Sequence, residues 1–139
     1  MVRKMRDIMS PAPICMTADV SVSAAAKAMK QHGTGTVLVL TGGKLSGLVT
    51  DRDITVRVLA ENRDPLTTPI GDICSSEPVV LGPYDDVEQA TRLVRERAVR
   101  RIPVLADGIP VGVVSIGDLA LDKDATSALS GVSSAPPNS

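Results

Sequence analysis

Gly47-Leu48-Val49-Thr50-Asp51-Arg52-Asp53-Ile54 and Gly112-Val113-Val114-Ser115-Ile116-Gly117-Asp118-Leu119 are two versions of one pattern. Each runs glycine, two aliphatic residues, a hydroxyl residue, two variable positions, aspartate and an apolar residue. The aliphatic approach to the hydroxyl suits the end of a strand. A hydroxyl followed three positions later by a carboxylate suits the start of a helix. The two stretches lie 65 residues apart, and that offset organises the rest of the chain.

Working outward at the same offset, Asp7-Ile8 aligns with Asp72-Ile73, Ser10 with Ser75, Pro13 with Pro78, Val22 with Val87 and Ala25 with Ala90. Val39-Leu40 then aligns with Val104-Leu105, Gly43 with Gly108, Gly47 with Gly112, Val49 with Val114 and Asp53 with Asp118. Twelve identities without a gap make the chain a tandem repeat. Each copy reads as short helix, strand, helix, strand, hairpin, strand, helix. In the first copy Ile14-Cys15-Met16 is a short strand, and Ser21 caps a helix reaching His32. Thr36 to Leu40 and Leu45 to Thr50 flank a Gly42-Gly43 turn. Asp51 to Glu61 forms a helix with Ile54, Val58 and Leu59 on one side. In the second copy Thr68 caps a helix with Pro69 at its first position. Pro78 to Leu81 is a strand, and Asp85 opens a helix through an Asp85-x-x-Glu88 box. Arg101 to Leu105 and Ile109 to Ser115 flank an Asp107-Gly108 turn. The expected division is a first repeat over 1–61, a linker over 62–68, a second repeat over 69–123 and a disordered tail over 124–139, rich in Ala, Ser, Gly and Pro. Half-units of this size are marginal alone, so the expected fold is α/β, two repeats packed with pseudo-two-fold symmetry, short sheets flanked by helices.

Composition narrows the function. The 139 residues include one Tyr and no Phe or Trp, so the core is aliphatic and stacking platforms for single-stranded nucleic acid are missing. A net charge of −1 argues against a nucleic-acid footprint. One His and two Cys are too few for a zinc site of nitrogen and sulfur donors alone. No apolar run approaches the roughly 18–20 residues of a membrane span, and the basic start lacks the apolar core of a signal peptide. Cys15 and Cys74 read as reduced thiols, which gives a cytoplasmic expectation.

The repeated pattern has two chemical readings. Thr50 with Asp53, and Ser115 with Asp118, can each form a capping box that satisfies backbone donors at the helix start. Alternatively the carboxylates can accept both hydroxyls of a ribose diol, while free N–H groups at the helix start favour phosphate nearby. The two roles are compatible.

Over residues from about 5 to 122 the sequence resembles the cystathionine-β-synthase (CBS) domain family. The resemblance rests on Arg6-Asp7-Ile8-Met9, the helix entry near Val22, the Arg101-Ile102-Pro103-Val104 strand and both glycine-to-aspartate turns. It implies a stand-alone Bateman module: two CBS repeats with two clefts between them that take AMP, ADP, ATP or S-adenosylmethionine. It implies ribose contacts for Asp53 and Asp118, and ribose or phosphate contacts for Thr50 and Ser115. Arg100 and Arg101 occupy the cleft-lining positions that in copy one are Gly35 and Thr36, and an Arg fork suits phosphate. Val99 and Thr34 would wall the base, and Arg52, inside the first turn, is a second phosphate candidate. Cys15 and Val80 replace a Thr common in the family, which points to one competent and one degenerate site. The module is expected to be a non-enzymatic sensor that needs no cofactor, binding its nucleotide with or without Mg²⁺, the ion reached through Asp51 and Asp53. It is expected to form a homodimer and to act on a protein partner in trans, without nucleic acid or membrane. The competing expectation is a ligand-independent dimeric scaffold for a protein partner.

Overall fold

The computed structural model describes residues 3–76 and 78–126. In chain order these form α1 (Met5–Ile8), β1 (Ser10–Pro11), β2 (Cys15–Thr17), α2 (Val22–His32), β3 (Thr36–Thr41), β4 (Lys44–Thr50) and α3 (Asp51–Ile54), which continues into a π-helical stretch, Thr55–Leu59. A 3-10 turn (Ile70–Asp72), β5 (Ser75–Ser76), α4 (Val87–Arg97), β6 (Arg101–Ala106), β7 (Ile109–Ser115) and α5 (Ile116–Thr126) follow. The chain divides into two compact units, and their limits cross those of the sequence repeat. One unit is Pro13–Pro78; the other joins the residues up to Ala12 to those from Val79 onward.

In the Pro13–Pro78 unit the sheet runs β2-β3-β4-β5, with β2 parallel to β3 and the other pairs antiparallel. Helix α2 forms because Ser21 Oγ accepts the Ala24 N–H at 3.1 Å and Gly33, at φ 64°, closes its far end in the left-handed conformation. Val22, Ala25 and Met29 fall on one helical face and pack with Val37, Val39, Val49, Val58, Ile70 and Ile73. The last two belong to the second sequence copy. The other unit has the sheet order β1-β7-β6 and a core of Met5, Ala90, Ile102, Val104 and Val114. Here Met5 comes from the first copy.

The opening segment of each copy therefore completes the unit built by the other copy's hairpin. Ser10 and Pro11 pair with Val113 and Gly112, and Ser75 and Ser76 pair with Leu48 and Gly47. The register is identical after the 65-residue shift. Gly47 and Gly112 permit the approach: a Cβ on Gly47 would lie 2.7 Å from Cys74 Sγ and 2.9 Å from the Ser75 carbonyl oxygen, and one on Gly112 would lie 2.5 Å from Met9 Sδ. Both hairpins turn through two consecutive residues of positive φ, Gly42-Gly43 and Asp107-Gly108, as a two-residue turn of this type requires. Both carry a register shift one residue before the end of the identical Val-Leu pair.

Several local expectations change. The stretch 62–68 is hydrogen-bonded into the Pro13–Pro78 unit: the Val22 N–H donates to the Thr68 carbonyl and the Ser23 N–H to the Pro65 carbonyl, each at 2.9 Å. Thr68 does not cap a helix that starts at Pro69. Its hydroxyl donates to the Asp64 carbonyl at 2.7 Å, and Pro69 itself stands at the cap position of the 3-10 turn. Helix α4 starts one residue later than Asp85 implied, with a box between Asp86 and Gln89; Asp85 instead accepts the Gly82 N–H at 2.7 Å. Asp86 is the repeat counterpart of Ser21, so the register of copy one governs copy two. Leu59 turns to solvent, 72% exposed, because the helix widens after Ile54: the Ala60 and Arg63 N–H groups donate to Thr55 and Val58, a π pattern that shifts the apolar phase. The strand over Pro78 to Leu81 shrinks to one bridge, Leu81 with Val104. In copy one Leu38 N–H donates to the Ile14 carbonyl at 2.8 Å; its counterpart in copy two is Pro103, which has no N–H to give. Helix α5 extends to Thr126, into the stretch assigned to the tail, and 127–139 lie outside the described residues.

Cys15 and Cys74 are free thiols. Cys15 lies beside Leu38 on β3, Leu38 beside Leu48 on β4, and Leu48 beside Ser75 on β5. Three strand spacings place the backbone of Cys15 about 14 Å from that of Ser75, the residue after Cys74, well beyond the roughly 7 Å between Cα atoms that a disulfide spans.

Met5 is fully buried although it lies five residues from the chain start. Met5→Ala should therefore lower stability by about 2–5 kcal/mol, the cost of a core cavity, read as a lower urea midpoint at unchanged slope. A loss below about 0.5 kcal/mol, typical of a surface substitution, would show that the opening segment is not part of the core.

Candidate functional site

The glycine-to-aspartate turns lie at equivalent ends of the two sheets. In the Pro13–Pro78 unit Thr36, the first residue of β3, faces Thr50, the last residue of β4, and both are buried. The loop entering β3 is held by the Asp51 N–H, which donates to the Gly35 carbonyl at 3.0 Å, and by Thr34 Oγ1, which accepts the Thr36 N–H at 3.3 Å. Helix α3 starts through a complete capping box. The Asp53 N–H donates to Thr50 Oγ1 at 3.2 Å, and Asp53 Oδ2 accepts the Thr50 N–H at 2.8 Å and its hydroxyl at 3.2 Å. Cys15 is exposed at the start of β2, and Arg52 is exposed on α3.

The other unit repeats the arrangement. Arg101 faces Ser115 across β6 and β7, and the Ile116 N–H donates to the Arg100 carbonyl at 3.0 Å, the counterpart of the Asp51–Gly35 bond. Asp118 Oδ2 accepts the Ser115 N–H at 2.8 Å, and the Asp118 N–H donates to Ser115 Oγ at 3.1 Å. Arg101 is half-buried with its Nε below the surface, while Arg100 and Val80 are exposed. Val99 packs against the apolar cluster of its own unit.

Thus Thr34, Thr36, Thr50 and Asp53 gather at one sheet end, and Arg100, Arg101, Ser115 and Asp118 gather at the other. The capping reading holds at both turns, and it leaves room for the second reading because the box uses only Oδ2 of each carboxylate. The fate of Oδ1 differs between the copies. Asp53 Oδ1 lies 3.8 Å from Arg57 Nε, one turn along the helix, and Arg57 Nη1 donates to the Ile73 carbonyl at 3.1 Å. The motif does not include Arg57, but an acid followed by a base four residues later was the available signal. Around Asp118 Oδ1, no hydrogen bond or ion pair is made among the described residues.

Other chemistry is sparse. Among the described residues no three His, Cys, Asp or Glu side chains converge as a metal cluster. Asp51 Oδ1 accepts the Arg52 N–H at 2.9 Å. Burial pushes both thiols, Cys15 and Cys74, upward in pKa, opposite to the shift of an activated cysteine. No helix is long and apolar enough to cross a membrane, among the residues described. Because Thr50 and Ser115 each cap a helix, Thr50→Ala and Ser115→Ala should each lower stability by about 1 kcal/mol, measured by chemical denaturation. An unchanged midpoint in both would show the boxes to be energetically idle.

The fold and its two turns can now be set beside known proteins. The CBS domain family matches residues 5–60 and 70–121. CBS domain-containing protein YhcV of Bacillus subtilis (strain 168) is 35% identical over 132 residues, covering 92% of this chain and 94% of that protein. The structure of a hexameric CBS-CP12 protein from bloom-forming cyanobacteria is similar at TM-score 0.84 and 28% identity, over 91% of this chain and 75% of that one. The CBS domain pair of protein MJ0100, solved in complex with 5′-methylthioadenosine and S-adenosyl-L-methionine, is similar in fold at TM-score 0.81 and 23% identity, over 91% of this chain and 99% of that one. Two family matches falling on the two halves of an internally repeated chain have one meaning: the protein belongs to the CBS domain family, as a tandem CBS pair.

Proposed function

We propose that this CBS pair is a non-enzymatic regulatory module that binds an adenosine-containing ligand, AMP, ADP, ATP or S-adenosylmethionine. The observation that carries the reading is the second turn. Arg101 stands in register with Ser115, and Asp118, one helical turn on, keeps Oδ1 outside its capping box. A guanidinium for phosphate, a hydroxyl, and a carboxylate oxygen for a ribose hydroxyl are what an adenosine nucleotide engages. The ring must rest on aliphatic walls such as Val99, since the chain has neither Phe nor Trp. In the first turn Thr34, Thr36, Thr50, Arg52 and Asp53 hold the corresponding positions, with Cys15 at the adjoining strand. The MJ0100 pair supports the reading to the extent that its fold holds two adenosine compounds. A protein partner in trans would read the ligand-bound form.

A second reading, a self-associating scaffold, is favoured by Val56 and Leu59, both exposed and three residues apart on the π-helical stretch.

A thermal-shift panel of AMP, ADP, ATP, S-adenosylmethionine and NADH, with and without Mg²⁺, separates the two. Ligand at 100 times its Kd should stabilise the fold by about 2.7 kcal/mol, and Asp118→Ala should remove most of that gain. No response to any ligand, with a dimer in light scattering, would replace the sensor by the scaffold.

A further inference from the structure

We infer that Arg57 is an internal competitor for the ligand-binding carboxylate of the first turn, which makes the Asp53 site the weaker of the two. The inference rests on the adenosine reading above and concerns its regulation. Asp53 is only 14% exposed at its side chain, and both of its oxygens are addressed from within the protein. Oδ2 carries the capping box, and Oδ1 faces the Arg57 guanidinium at 3.8 Å. Arg57 is held there by a second anchor, its 3.1 Å bond to the Ile73 carbonyl, although half of its side chain is open to solvent. A ribose hydroxyl approaching Oδ1 must displace a cation that stands at ion-pair distance from the carboxylate.

The second turn has the opposite charge at the same place. The repeat counterpart of Arg57 is Asp122, which cannot pair with Asp118 and instead accepts a hydrogen bond from Arg3 Nε at 3.0 Å. The cation of that unit's site is Arg101, on the strand facing Ser115, where copy one has Thr36. Copy one thus carries its cation against the carboxylate, and copy two carries it on the strand beside the hydroxyl. Cys15 and Val80 are both non-hydroxyl residues, so they do not distinguish the copies; position 57 does.

Calorimetric titration of the full chain with AMP tests this. Wild type should show two unequal sites, the tighter one lost in Asp118→Asn and the other up to about fivefold weaker, since a half-exposed ion pair must be broken first. Arg57→Ala should strengthen the second site up to about fivefold, and Arg57→Gln, which keeps a donor for the Ile73 carbonyl, should do the same without loosening the helix. Adding Asp53→Asn to either variant should remove the gain. Two equal sites in wild type, or no gain in both Arg57 variants while the Asp118 site still binds, overturns the competition and leaves the adenosine reading standing. Absence of AMP binding in wild type and both Arg57 variants, together with no response in the thermal-shift panel, overturns the adenosine reading, and the competition with it.

Discussion

Pairing of each copy's opening strand with the hairpin of the other copy is the constraint on which the remaining structure depends. A hairpin such as β6-β7 presents an unpaired strand edge, and a half-unit of about 60 residues buries too little surface to stand alone. Ser10-Pro11 covers the edge of β7, and Ser75-Ser76 covers the edge of β4. The segments that lead into these strands bring Met5 to one core and Ile70 and Ile73 to the other. Two glycines, Gly47 and Gly112, make room for the incoming chain at equivalent points. Neither core is complete without residues encoded in the other copy, so the repeat is a unit of sequence and the compact unit is a unit of stability.

The same exchange reaches the two glycine-to-aspartate turns. The Ile73 carbonyl, carried in by the second copy's opening segment, anchors Arg57 next to Asp53. Arg3, carried in by the first copy's opening segment, engages Asp122 one turn beyond Asp118. Two turns with matching backbone bonds, from the capping boxes to the Asp51–Gly35 and Ile116–Arg100 links, differ in charge around their carboxylates, with Arg57 in one where Asp122 stands in the other. The surroundings of duplicated carboxylates differ without a change of fold when a helix position one turn away differs in sign.

The repeat, the hairpins and the α/β class were legible because they rest on local signals: Asp107-Gly108, the hydroxyl-to-carboxylate spacing and the gapless 65-residue offset. The structure departs from the sequence pattern where backbone chemistry outweighs side-chain type. Pro103 reads as an ordinary aliphatic position, yet its missing N–H reduces the facing strand to a single bridge. Leu59 fits an α-helical stripe, yet the π stretch turns it outward. Asp85 and Asp86 both fit a cap by residue type, and the repeat register, which aligns Asp86 with Ser21, selects Asp86. The exchange of opening segments left no mark in pattern or propensity, because Ser10 and Ser75 are identical and either could pair with either hairpin. The turn residues themselves, Thr50, Asp53, Ser115 and Asp118, were legible from spacing; the different surroundings of the two carboxylates were not, since Ile73 and Arg3 arrive from far along the chain.

The central claim is the exchange, and cross-strand nuclear Overhauser contacts measure it directly. The account predicts contacts between Ser10 and Val113 and between Ser75 and Leu48. Contacts between Ser10 and Leu48 and between Ser75 and Val113 would contradict it, placing each opening strand on the hairpin of its own copy.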